Sequence, residues 1–152
     1  ETAKQNGILN IVALRGDPAA GQEEWKAADG GFTCALDLVE YIRENFGSDF
    51  GISVAGYPEG HPNAISLVED PSTLTESEKA RSSTEGGKVF TCLDDDYKKE
   101  MEYLKKKIDA GAGKFIRVFA THTQKCLYFS SIACLLFYFL LTNEQDSAIF
   151  VL

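Results

Sequence analysis

The chain has 152 residues, is 44% hydrophobic and 25% charged, and carries a formal net charge of -8 from 23 acidic and 15 basic residues. That length can bury one ordinary core and fits one soluble domain, and the acidic balance argues against a nucleic-acid partner, whose phosphates need a positive footprint, while it still permits a local basic site. Cys34, Cys92, Cys126 and Cys134 have neither metal-ligand nor disulfide-dense spacing, and no charged-then-apolar leader opens the sequence, so a reducing, cytoplasmic setting without a metal site is expected.

In chain order, residues 1–7 read as the last turn of a helix, because Asn6-Gly7 is a common helix stop. The chain is therefore expected to start in mid-fold. Residues 8–14 are apolar and β-branched at the start, too short for a helix and suited to a buried parallel strand. Arg15-Gly16-Asp17 then falls at the strand's carboxyl end, where α/β folds hold ligands. On residue type alone this Arg–Asp pair is a turn clasp. A glycine-rich connection leads to a helix over 32–46, whose stripe of Ala35, Leu38, Val39, Ile42 and Phe46 has helical spacing and which Gly47 stops. Ile52, Val54 and Ala55 form a second strand ending in Gly56-Tyr57-Pro58-Glu59-Gly60-His61-Pro62. Strand, helix and strand predict a right-handed βαβ unit with parallel, adjacent strands and both polar loops on one face of the sheet.

Residues 64–93 are long for a connection and are expected to form a solvated surface insert, with one short helix over 76–82 capped by Thr75 and Glu78. A firmer helix is predicted over 94–110, with Asp94, Asp95 and Asp96 at its N-terminus, Lys105, Lys106 and Lys107 near its C-terminus, and Tyr97, Met101, Leu104 and Ile108 as its buried stripe. Gly111 closes it, and 115–120 predicts a third strand. The apolar run 126–141 shows neither alternation nor a polar helical face, and it is short for a membrane span, which takes about 18 residues. A buried helix or strand is the competing assignment.

The stretches GILNIVALRGDP, DLVEYIRENFG, ISVAGYPEGHP and YLKKKIDAGA, in this order, resemble methylenetetrahydrofolate reductase from the first residue to about Ala112. The resemblance implies part of a (β/α)8 TIM barrel, an α/β fold of parallel strands and crossover helices, over residues 1–120, with 121–152 as an atypical tail. It implies an oxidoreductase that uses FAD, with NAD(P)H as co-substrate, to reduce 5,10-methylenetetrahydrofolate to 5-methyltetrahydrofolate in one-carbon and methionine metabolism. It also implies an oligomer in the full-length enzyme.

By resemblance, Asp17 is catalytic, opposing the cationic iminium of the folate and tuning the flavin, and Arg15 and Gly16 support the cofactor. Tyr57, His61 and Ala64 match FAD-contacting positions, as do Ala35 and, in the late helix, Lys106 and Lys107. Without the resemblance Ala35 is a helix-packing residue, His61 a loop histidine and the lysine run a solvated face. Glu100 and Tyr103 fall at adjacent positions and are not assigned, and Lys105 is expected to face solvent. The family's glutamine after the DAGA turn has no counterpart, since Gln124 lies too far along, and His122 takes no role. The chain is therefore read as an incomplete piece of the enzyme, with a proton donor outside it. A second reading is a non-catalytic fragment that associates with a partner or a membrane through 126–141.

Overall fold

The structure is a computed structural model that describes residues 1–16, 18 and 25–117, together with the backbone of the strand Ser147–Val151. Asp17 and the apolar run 126–141 lie outside the described residues. The chain divides into two compact units, one of residues 1–55, 105–116 and 142–152, the other of 56–104 and 117–141.

In the first unit a short helix α1 (Thr2–Gln5) ends at Asn6, and Gly7 follows at φ 74°, a left-handed conformation that glycine adopts without strain. Strand β1 (Asn10–Leu14) buries Ile11, Val12 and Ala13 in succession, so both of its faces are covered. That is the signature of an interior parallel strand, and burial of Ile11 and Val12 is worth about 1.5–3 kcal/mol each. Helix α2 (Ala35–Phe46) turns Leu38, Val39 and Ile42 inward and stops at Gly47. It begins three residues later than the periodicity predicts because residues 33–34 cap it. The backbone N–H and hydroxyl of Thr33 donate to Asp37, and these bonds hold the Asp37 carboxyl below its ordinary pKa.

Strand β2 (Gly51–Gly56) pairs parallel with β1, Asn10 opposite Gly51 and Ala13 opposite Val54, as the βαβ pattern predicts. The opposite edge of β1 is taken by a strand within 142–152. Its backbone, Ser147–Val151, pairs parallel with β1 from Asn10 opposite Ser147 to Leu14 opposite Val151. Nothing in the tail's composition predicts that strand.

In the second unit residues 64–93, most of them exposed, carry more regular structure than the sequence predicts. Here β3 (Ile65–Val68), β4 (Ser83–Glu85) and β5 (Lys88–Cys92) form an antiparallel sheet in the order β3-β5-β4. Leu74, Glu78, Phe90, Thr91 and Cys92 are buried. Gly86 and Gly87, both at positive φ, form the two-residue turn between β4 and β5, the backbone twist that a tight hairpin requires.

Helix α3 (Glu76–Ala80) carries the predicted capping box, in which the Thr75 hydroxyl accepts from the N–H of Glu78 and the Glu78 carboxylate from the N–H of Thr75. The Glu78 carboxylate also accepts from the Asp94 N–H at 2.9 Å, tying α3 to the start of the next helix. These two N–H donors, that of Thr75 first, hold the Glu78 carboxyl below its ordinary value of 4.5. A depressed carboxyl stabilises the fold above its unfolded pKa and loses that contribution as pH falls through the folded value. The second unit is therefore expected to lose stability steeply below about pH 4.5. Glu78→Gln should be less stable near neutrality, because its amide NH2 confronts a backbone N–H, and should show a flatter acid limb. An acid titration followed by circular dichroism checks this, and an unchanged slope would contradict it.

Helix α4 (Asp94–Asp109) has the predicted start and acidic first turn and ends one residue before the predicted 110. Its buried face differs by one position, since Ile108 is 46% exposed and Lys107 is buried. The third predicted strand is β6 (Lys114–Arg117), which lies next to β2 in the four-strand order β6-β2-β1-β7, where β7 is Ser147–Val151. Among the described residues no helix is long and apolar enough to cross a membrane.

Candidate functional site

In the first unit the carboxyl end of β1 presents Arg15 and Gly16. The Arg15 guanidinium lies over the ring of Trp25, 5.3 Å from its centroid. A cation over an indole face is held in place without losing its hydrogen-bond donors, so the arginine stays available to an acceptor. Trp25 was not singled out in the sequence. The signal for it was a lone tryptophan in an otherwise polar, glycine-rich connection after a cationic strand end.

Ala35, half-buried, is the first residue of α2. Lys105 and Lys106 are exposed, and Lys105 pairs with Asp109 one turn on, as expected of a solvated face. Lys107 behaves differently. It is 5% exposed, and its Nζ donates to the carbonyl of Ala55, near the end of β2, at 2.7 Å. A buried ammonium is tolerated only where acceptors or anions surround it, and the Ala55 carbonyl is one such acceptor.

A second device fixes the turn behind α4. Arg43 of α2 donates from Nε and Nη2 to the Gly111 carbonyl at 3.1 and 2.7 Å, and from Nη1 to the carbonyls of Gly47 and Phe50, each at 2.8 Å. Gly113 N–H donates to Ile52 O at 2.9 Å. The turn after α4 is thereby held against the start of β2, and Lys107 reaches nearer that strand's carboxyl end.

In the second unit the loop 57–64 brings Tyr57 and His61 together, ring centroids 4.7 Å apart and edge to face at 71°. His61 Nδ1 accepts from the N–H of Asn63 at 3.2 Å and caps the 3-10 turn Pro62–Ala64. A neutral imidazole with Nδ1 as acceptor carries its proton on Nε2. Ala64, half-buried, ends the turn. Gly60 lies at φ 101°, and a Cβ there would meet the Cys92 side chain, with Sγ at 2.7 Å and Cβ nearer still. The loop's shape thus depends on close approach to β5.

Of the residues proposed from the sequence, the structure places Arg15, Gly16, Ala35, Lys106 and Lys107 in the first unit and Tyr57, His61 and Ala64 in the second. Tyr103 and Glu100 lie on α4, each half-buried.

The family model for methylenetetrahydrofolate reductase matches residues 1–133. The chain is 46% identical over 112 residues to "Methylenetetrahydrofolate reductase (NADH) 1" of Zea mays, covering 74% of this chain and 15% of the relative. It is 41% identical over 116 residues to "Methylenetetrahydrofolate reductase 2" of Saccharomyces cerevisiae, covering 76% and 14%. With "5,10-methylenetetrahydrofolate reductase" of Salmonella typhimurium it shares 35% identity over 126 residues, covering 82% and 29%. The chain thus spans under a third of the length of these relatives. Matched over most of its length by the family model, it belongs to the methylenetetrahydrofolate reductase family.

Proposed function

We propose that this chain is part of the catalytic (β/α)8 barrel of a cytoplasmic flavoenzyme that reduces 5,10-methylenetetrahydrofolate to 5-methyltetrahydrofolate with NAD(P)H. The observation that carries the reading is the family match over residues 1–133, which includes the LRGD, GYPEGHP and KKKIDAGA stretches. The parallel pairing of β1 with β2 supports it, since a barrel is built of such strand–helix–strand units.

Each unit taken by itself carries side chains of a kind that FAD would use: Arg15, Lys106 and Lys107 in the first unit are cations, the counterpart of phosphate and carbonyl acceptors, and His61 in the second has an imidazole that can donate a hydrogen bond. When bound, the flavin supplies hydride transfer between the nicotinamide and the folate methylene. Arg15 and Lys107 would hold electron-rich acceptors of the cofactor, and Gly16 and Ala35 would admit it at close range. Tyr57 would give it an aromatic edge, His61 would donate to its phosphate or ribose, and Ala64 would line its path. Asp17, a carboxylate that follows Arg15-Gly16 in the sequence, would oppose the positive charge of the folate iminium, a charge that a neutral side chain would leave unbalanced.

Asp17→Asn tests the assignment in an enzyme whose barrel contains this segment. Size is preserved and charge lost, so the folate half-reaction should fall by about tenfold or more while flavin reduction by NAD(P)H falls less. The two half-reactions are followed by flavin absorbance. Equal rates for variant and parent in the folate half-reaction, at saturating FAD and folate, would return the Arg–Asp pair to a turn clasp.

A further inference from the structure

A cavity of about 390 Å³ opens in the second unit, lined by Glu59, Ser77, Arg81, Tyr97 and Arg117, with Pro58 and Ala80 as its apolar wall. Among the described residues, none of those assigned above to the flavin lines it. Its volume lies toward the small end of ligand pockets, which run from about 300 to 1,000 Å³.

Glu59 is divided in its bonding. One carboxylate oxygen, Oε1, accepts from the Arg117 guanidinium. The other, Oε2, is buried and has no hydrogen-bond partner among the described residues. A buried carboxylate oxygen without a donor costs free energy that a ligand N–H can recover, and a cationic donor recovers the most.

Arg81 supplies the opposite chemistry. Its side chain is only 8% exposed. Nε donates to the Cys92 carbonyl at 2.8 Å, Nη2 pairs with Asp94, and the guanidinium stacks 4.4 Å from the centroid of Tyr97. Three contacts hold the fork still, and Nη1 carries two further N–H donors. A guanidinium fixed in this way is preorganised for a carboxylate. The lining therefore offers one anionic acceptor and two cationic side chains in a space too small for a dinucleotide.

We propose that this cavity binds a small zwitterion, an α-amino acid with a short apolar side chain, its ammonium on Glu59 Oε2 and its carboxylate on Arg81. Pro58, Ala80 and the Tyr97 ring cover the side chain. The site lies beside the antiparallel sheet of 65–92 and draws Ser77, Ala80 and Arg81 from that stretch, which gives the stretch a role apart from flavin chemistry.

Isothermal titration of the full chain with L-leucine, 4-methylpentanoate and 3-methylbutylamine tests it. The second probe lacks the ammonium and the third lacks the carboxylate. L-Leucine is expected to bind at least about tenfold more tightly than either, and Glu59→Gln to weaken L-leucine by about tenfold while leaving 4-methylpentanoate unchanged. Absence of heat from L-leucine, or equal binding of L-leucine and 4-methylpentanoate, overturns the proposal. Should Glu59→Gln fail to fold, the ranking of the three probes on the parent chain decides alone.

Discussion

Gly60→Ala is expected to destabilise the second unit by about 3 kcal/mol or more. Two independent costs meet at this position. The backbone sits at φ 101°, where a side chain is strained whatever space surrounds it. The new methyl would also overlap the side chain of Cys92, which is fully buried on β5 and hydrogen-bonded through its strand neighbours, so neither partner can retreat cheaply. Because Cβ of Cys92 is part of the overlap, Cys92→Ala should not rescue the variant. Cys92→Gly should recover the steric share and leave the conformational one. Urea unfolding followed by circular dichroism reads all three, and a Gly60→Ala chain within about 1 kcal/mol of the parent would show that the loop does not approach β5 as described.

Arg43→Ala should cost a comparable amount, about 3 kcal/mol, in the first unit. The side chain satisfies three carbonyls, those of Gly47 and Phe50 in the connection between α2 and β2 and that of Gly111 in the turn after α4. Truncation removes the donors to the part-buried Phe50 and Gly111 carbonyls, and that penalty exceeds the modest gain of making each bond. Arg43→Lys should recover little, because a single ammonium cannot reproduce a fork that reaches three carbonyls at once. Gly111→Ala should approach the same loss from the other side, since its Cβ would fall 2.6 Å from Arg43 Nε at φ 115°. Full stability in Arg43→Lys would mean that charge, not geometry, is what this position supplies.

Legibility in the sequence followed the strength of each local signal. β1, β2, α2 and α4 were readable because an unbroken apolar run and a repeated 3.6-residue stripe leave few alternatives. The cap at Thr75 and Glu78 was readable for the same reason, as a motif closed within four residues. The hairpin of β4 and β5 was signalled only by Gly86-Gly87, and its strands are short and rich in charge and hydroxyl groups, so their composition resembles a solvated loop. Lys107 shows a different failure. Periodicity put Ile108 inward, and a lysine run reads as solvent-facing, yet the helix turns Lys107 onto the Ala55 carbonyl instead. Only the family resemblance singled it out in the sequence. The orientation of His61, fixed by the Asn63 N–H, and the stacking of Arg15 on Trp25 depend on side-chain placement that spacing does not encode.

The lysine run also supplies the most direct measurement of the central claim, that this segment holds a flavin. Titrating FAD into the full chain and following the quenching of flavin fluorescence compares Lys107→Met with Lys105→Met. Both variants lose one positive charge, but only the first loses a buried donor anchored to a strand end. The account predicts saturable quenching by the parent chain, weakened by about tenfold or more in Lys107→Met and unchanged in Lys105→Met. No saturable quenching by the parent, or equal losses in the two variants, would contradict it.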